Sequence, residues 1–179
     1  MRLLLTVIGA LAIIVAIGAA AFFFGGFYSV AGTQDDPSIV HWALVTVRTA
    51  SINRHATDTP PASINDPETV KAGARAFAAL GCVSCHGAPG VTWSKFSEGL
   101  HPDPPDLKDV VDQLTPSQLF WVIKNGINMT GMPSFALAGA KDDDIWAVVA
   151  FVKKLPSVSE ADYKAWTAPA SNSPPTSPP

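Results

Sequence analysis

The chain has 179 residues, with 12 Lys and Arg against 15 Asp and Glu, a net charge of −3, and 47% hydrophobic residues. A length of this order holds one domain plus extensions. The mildly acidic balance, with an isoelectric point near 5.7, lacks the basic footprint of nucleic-acid binding.

The first predicted element explains the apolar share. From Leu3 to Val30 no side chain carries charge, and that run exceeds the ~20 residues a helix needs to cross a bilayer. A secretory signal has a shorter apolar region, about 7–15 residues, closed by small residues. Ala19-Ala20-Ala21 imitates such an end, but the run continues through Phe22, Phe23 and Phe24 to Tyr28. That aromatic ending suits an anchor at a membrane interface. Residues 1–32 are therefore expected to be a retained transmembrane helix. Arg2 keeps the amino terminus cytoplasmic and sends everything after Tyr28 to the far side.

Residues 33–65 read as a juxtamembrane helix and linker. Asp36-Pro37 has the form of a cap with proline at the first helical position. Ile39, Val40, Ala43, Leu44 and Val47 then share one face, with Arg48, Asn53, Arg54 and His55 beyond or opposite. Trp42 and the arginines fit a helix on the membrane surface or against a partner subunit. The density of β-branched residues fits a strand as well. His41 and His55 are read as interfacial polar residues and not as ligands. Thr57 to Ile64 is a Thr/Pro/Ser linker.

Residues 66–156 carry the remaining regular structure. Asp66-Pro67-Glu68 opens a helix to about Leu80, with Val70, Gly73, Ala74 and Phe77 on one face. Residues 88–114 are rich in Pro, Gly and Asp and read as loop. Thr115-Pro116-Ser117-Gln118 is a capping box that starts a helix to about Lys124, closed by Asn125-Gly126. A last helix runs from about Asp142 to Lys154, acidic first and basic last, as the helix dipole prefers. Residues 157–179 are assigned to a Pro/Ser-rich tail, disordered from Ala168 onward.

Both cysteines of the chain lie in Cys82-Val83-Ser84-Cys85-His86. C-x-x-C-H is the pattern of c-type haem attachment, with each sulfur joined to a vinyl group and the histidine held beneath the iron. A structural zinc site needs four ligands, and His41, His55 and His101 form no second pair. A thioredoxin-like C-x-x-C belongs near a βαβ pattern, which the flanks lack. One covalent haem c is expected, bound by Cys82, Cys85 and His86, with His86 on the iron.

The opposite face of the iron decides between electron transfer and ligand binding. Met1 is in the anchor, which leaves Met129 and Met132 in Ile127-Asn128-Met129-Thr130-Gly131-Met132-Pro133. Met132 is the better metal ligand, because Gly131 lets the backbone come close and Pro133 stiffens it. His101, in the Pro/Asp-rich loop, is a weaker rival. Trp93 and Trp121 are candidate donors to the haem propionates, with core packing an equal reading for Trp121.

From Pro67 to Pro156 the sequence resembles class I cytochrome c domains. The resemblance rests on Cys82-Val83-Ser84-Cys85-His86, Pro104-Pro105-Asp106-Leu107, Gly131-Met132-Pro133 and Ala147-Val148-Val149-Ala150-Phe151-Val152-Lys153-Lys154. It implies an all-α fold, a small three-to-four-helix domain around one haem. It implies that the Pro105 carbonyl accepts the other N–H of the haem-ligating histidine, and that Gly73 and Phe77 cross Val148 and Phe151. The anchor and the Met-Thr-Gly-Met-Pro loop resemble membrane-anchored monohaem cytochromes of bacteria. The implied location is the inner membrane, single-pass, with the haem domain on the periplasmic side.

The expected function is single-electron transfer between redox partner proteins, a dehydrogenase or an oxidase, with no small-molecule substrate and no enzymatic chemistry of its own. One alternative is a relay subunit fixed in a larger dehydrogenase or oxidase complex, which the juxtamembrane helix favours. Another is a gas-binding haem sensor with an open iron face. Between residues 66 and 155 ten acids face eight bases, so no steering patch marks the partner's charge.

Overall fold

The computed structural model describes residues 1–168. They fall into two units, residues 1–35 and residues 36 onward. The first is one helix, α1 (Arg2–Phe24), in which no residue is buried. By length and composition it can cross a membrane. Phe22 meets Phe23 and Tyr28 at its far end, with ring centroids 5.4 and 5.8 Å apart.

The second unit contains α2 (Ser38–His55), α3 (Pro67–Ala79), α4 (Val83–His86), α5 (Leu107–Val110), α6 (Pro116–Asn125), α7 (Asp142–Lys154) and α8 (Glu160–Thr167). Among the described residues there is no β-strand, only an isolated bridge between Ala88 and Val91. The unit is all-α, as expected.

Its centre is the crossing of α3 and α7. Val70, Gly73, Ala74 and Phe77 form the buried stripe of α3, and seven residues from Ile145 to Val152 are buried on α7. Gly73 makes the crossing close: a Cβ there would overlap the Ala147 carbonyl and lie 2.9 Å from Phe151 Cβ. The Phe77 and Phe151 rings meet at 5.3 Å. Burying two such rings and the valines beside them gives about 1.5–3 kcal/mol per side chain. Phe120 of α6 stacks on Trp146 of α7 at 4.0 Å. The Thr115 hydroxyl accepts from Gln118 N and the Gln118 side chain accepts from Thr115 N, completing the capping box that starts α6.

The structure departs from the sequence reading at four places. α2 begins at Ser38, with Pro37 at the cap position in place of Asp36. Its carboxyl-terminal half is packed: Ile52 is buried, Gln118 Nε2 donates to Asn53 Oδ1 at 2.6 Å, and His55 stacks on Trp121. The stretch 88–114 holds two 3-10 turns and α5. Residues 160–167, placed in the tail, form α8, because Tyr163 is buried against Phe151 with centroids 5.7 Å apart. The Ser159 hydroxyl caps α8 by accepting from Asp162 N. The disorder expected from Ala168 onward lies, for 169–179, outside the described residues.

Candidate functional site

α3 ends at Ala79 with Leu80 as its cap, and Gly81 at φ 79° turns the chain into the cysteine motif. Cys82 N donates to Phe77 O at 3.1 Å, and His86 N to Cys82 O at 3.0 Å. Cys82, Cys85 and His86 therefore share one helical turn, where positions three and four apart are neighbours. The two cysteines are not joined by a disulfide. Cys82 is only 8% exposed, and burial pushes its thiol up to about 12 from 9.0, with a smaller upward contribution from Cys85. A sulfur in such a place stays neutral.

His86 is oriented by the loop that follows it. Gly87 has φ 65°, and a Cβ there would meet Val91 O at 3.1 Å. Ala88 and Val91 exchange two backbone hydrogen bonds, and Ser94 N returns to Ser84 O at 2.9 Å. The loop brings Pro105 O to 2.9 Å from His86 Nδ1. A carbonyl only accepts, so Nδ1 donates and the lone pair stays on Nε2. No hydrogen bond to Nε2 occurs among the described residues. Asp106 fixes the turn after Pro105 by accepting from Lys108 N, and Leu107 packs on the core. A recess of about 410 Å³ lies against this face, lined by His86, Trp93, Asp106, Lys108 and Glu160 among others.

Met132 belongs to a separate hydrogen-bonded unit. Gly126 (φ 72°) ends α6, and a Cβ there would lie 2.7 Å from both Pro133 C and Ser134 N. Only glycine lets the returning loop pass so close. Ile127 N donates to Met132 O at 3.1 Å, Thr130 Oγ1 to Ile127 O at 2.7 Å, and Met132 N to Thr130 Oγ1 at 3.1 Å. Ser134 Oγ and Ala136 N both donate to Lys124 O, and Phe135, itself buried, donates to Ile123 O. The base of the loop is tied by the Lys124–Asp142 ion pair at 2.8 Å. Met132 is half-buried against the core, whereas Met129 has φ 60° and is 78% exposed.

The other sequence candidates sit elsewhere. His101 is exposed in the loop. Trp93 is half-exposed near Gly87, with Glu98 as its partner, and Trp121 stacks on His55. Sequence reasoning missed Thr130 and Gly126 as the clamps of the methionine loop, and Tyr163 beside Cys82. Thr130 was visible in principle, since a threonine two residues before a constrained position is a turn signal. Tyr163 had no local signal.

The residues present fit a covalent haem: two sulfurs on one turn, an imidazole with its lone pair on Nε2, and a thioether in a pinned loop. Among the described residues no group of three or more His, Cys, Asp or Glu could hold a metal ion, so the zinc reading has no ligand set. Residues 68–152, just under half the chain, match the family model described as cytochrome c oxidase, cbb3-type, subunit III. No curated protein and no solved structure matches the chain. Residues 68–152 are thus a class I cytochrome c domain, an electron-transfer module that carries covalently bound haem c.

Proposed function

We propose that the protein is a membrane-anchored monohaem cytochrome that passes single electrons between respiratory partners. Cys82 and Cys85 would hold haem c covalently, and His86 Nε2 and the Met132 sulfur would hold its iron. The haem supplies a ferric/ferrous one-electron couple. The chain's residues set its potential and its stability. Pro105 O, by accepting from Nδ1, fixes the ring and raises the basicity of Nε2. Met132 as a ligand together with His86 would raise the potential, because thioether sulfur favours ferrous iron. With both faces filled by protein, no position is open to a substrate, so electron transfer is the chemistry left.

The observation that carries this reading is the contrast between the two methionines. Met132 is clamped by Thr130 and half-buried on the core, while Met129 points outward. The α1 helix supports a single-pass anchor, and Arg2 supports a periplasmic haem domain. A second reading, a relay subunit fixed in an oxidase complex, is favoured by the printed description of the matching family.

The test is an optical redox titration of the full-length protein with and without carbon monoxide. His/Met ligation predicts a thioether–iron band near the red end of the ferric spectrum and no change on adding carbon monoxide to the reduced form. Ready carbon monoxide binding would overturn it in favour of a gas-binding haem. Copurification with oxidase subunits in mild detergent separates the fixed relay from the free carrier.

A further inference from the structure

We propose that α2 is a membrane-surface element, whose outward face rests in the headgroup layer of the bilayer that α1 crosses. This rests on the reading of α1 as an anchor.

α2 has two sides with different company. Ile52, Asn53 and His55 engage α6 through burial, a hydrogen bond and a ring stack. At about 100° per residue, Ile39, Ala43 and Val47 fall within an arc of about 80° centred opposite Ile52. On that side Ile39 and Val47 are each 68% exposed, Ala43 between them is half-buried, and Ala50 and Arg54 complete it; Leu44, 43% exposed, borders it. Trp42, 63% exposed, flanks the arc. A contiguous apolar stripe left open on a folded domain marks an interaction site.

Charge and tether select the occupant. Ser38–His55 contains no Asp or Glu, but two arginines and two histidines, in a chain of net charge −3. An apolar stripe with Trp at its border and only basic charge is the composition of a helix lying on anionic lipid. Thirteen residues separate Phe24 from Ser38, so the start of α2 stays within roughly 50 Å of the end of α1 even at full extension. A short tether holds the two together at high effective concentration, so modest intrinsic affinity suffices.

The test uses the full-length haem-loaded protein in vesicles of phosphatidylcholine and phosphatidylglycerol. Cys82 and Cys85 are consumed in thioethers, so a spin label can be placed singly through Val47→Cys, Gly18→Cys or Lys164→Cys. The readout is collision with oxygen, which concentrates in lipid, relative to collision with a water-soluble nickel chelate. The ratio at position 47 should exceed that at position 164 severalfold, towards the value at position 18. A water-like ratio at 47 with a lipid-like ratio at 18 overturns the proposal and leaves the anchor standing. Water-like ratios at both overturn the anchor reading too. A label at 47 shielded from both reagents means protein covers the face, which overturns the lipid assignment in favour of a subunit or a second copy.

Discussion

The α3–α7 crossing and the methionine loop are both close approaches of backbone to backbone, each made possible by one glycine, yet different forces hold them. At Gly73 the contact is closed by buried side chains, with Phe77, Val148 and Phe151 almost wholly out of solvent. At Gly126 it is closed by hydrogen bonds around a loop whose tip, Met129, is in water. Apolar burial is non-directional and fixes a scaffold. Hydrogen bonds are directional and fix where one sulfur stands. The domain uses the first to survive and the second to aim.

The largest break in that contrast is removal of the prosthetic group. With Cys82→Ala and Cys85→Ala together, haem would no longer be held covalently, and the loops 88–114 and 126–141 are expected to lose an apolar surface to pack on. The domain is expected then to lose its cooperative melt by circular dichroism; a native-like melt would show that the helices pack without haem. Gly73→Ala attacks the crossing alone. The added methyl group overlaps the Ala147 carbonyl, so a cost of about 1–3 kcal/mol or more is expected, read as a lower midpoint in denaturant with the red-end band retained.

Met132→Ala attacks the loop alone. It should abolish the red-end band and lower the potential, at a stability cost of about 2 kcal/mol. Met129→Ala should leave the spectrum unchanged. Equal spectral effects from the two variants would remove the distinction between them.

The smallest effect belongs to the surface. Glu98 is held below the usual carboxylate range, first by its hydrogen bond with Lys95, against a smaller opposing cost of burial and with help from the Lys95 charge and Trp93. Its folded-state pKa is depressed, so the pair contributes above the ordinary carboxylate value. That contribution is lost as pH falls through the depressed one. Glu98→Gln should flatten the fall in melting temperature between about pH 6 and pH 3, with no change in spectrum, and only slightly, because exposed pairs are weak.

Legibility followed the range of the interactions. The cysteine motif stands out because attachment chemistry fixes three residue types within five consecutive positions. The starts of α3 and α6 could be read because capping is decided within a turn. α8 could not, since what holds it is Tyr163 on Phe151, and its local sequence has little apolar periodicity. The docking of α2 was hidden for the same reason: Asn53 meets Gln118 across 65 positions. The short turns in 88–114 were masked by proline and glycine, which announce a break in regular structure without excluding a single helical turn.

Cys82 and Cys85 differ in access, one buried and the other half-buried. The buried sulfur imposes an order of assembly. For haem to be joined at Cys82, a vinyl group would have to reach a sulfur that is only 8% exposed in the folded chain. Linkage at Cys82 is therefore expected to precede the packing that buries it.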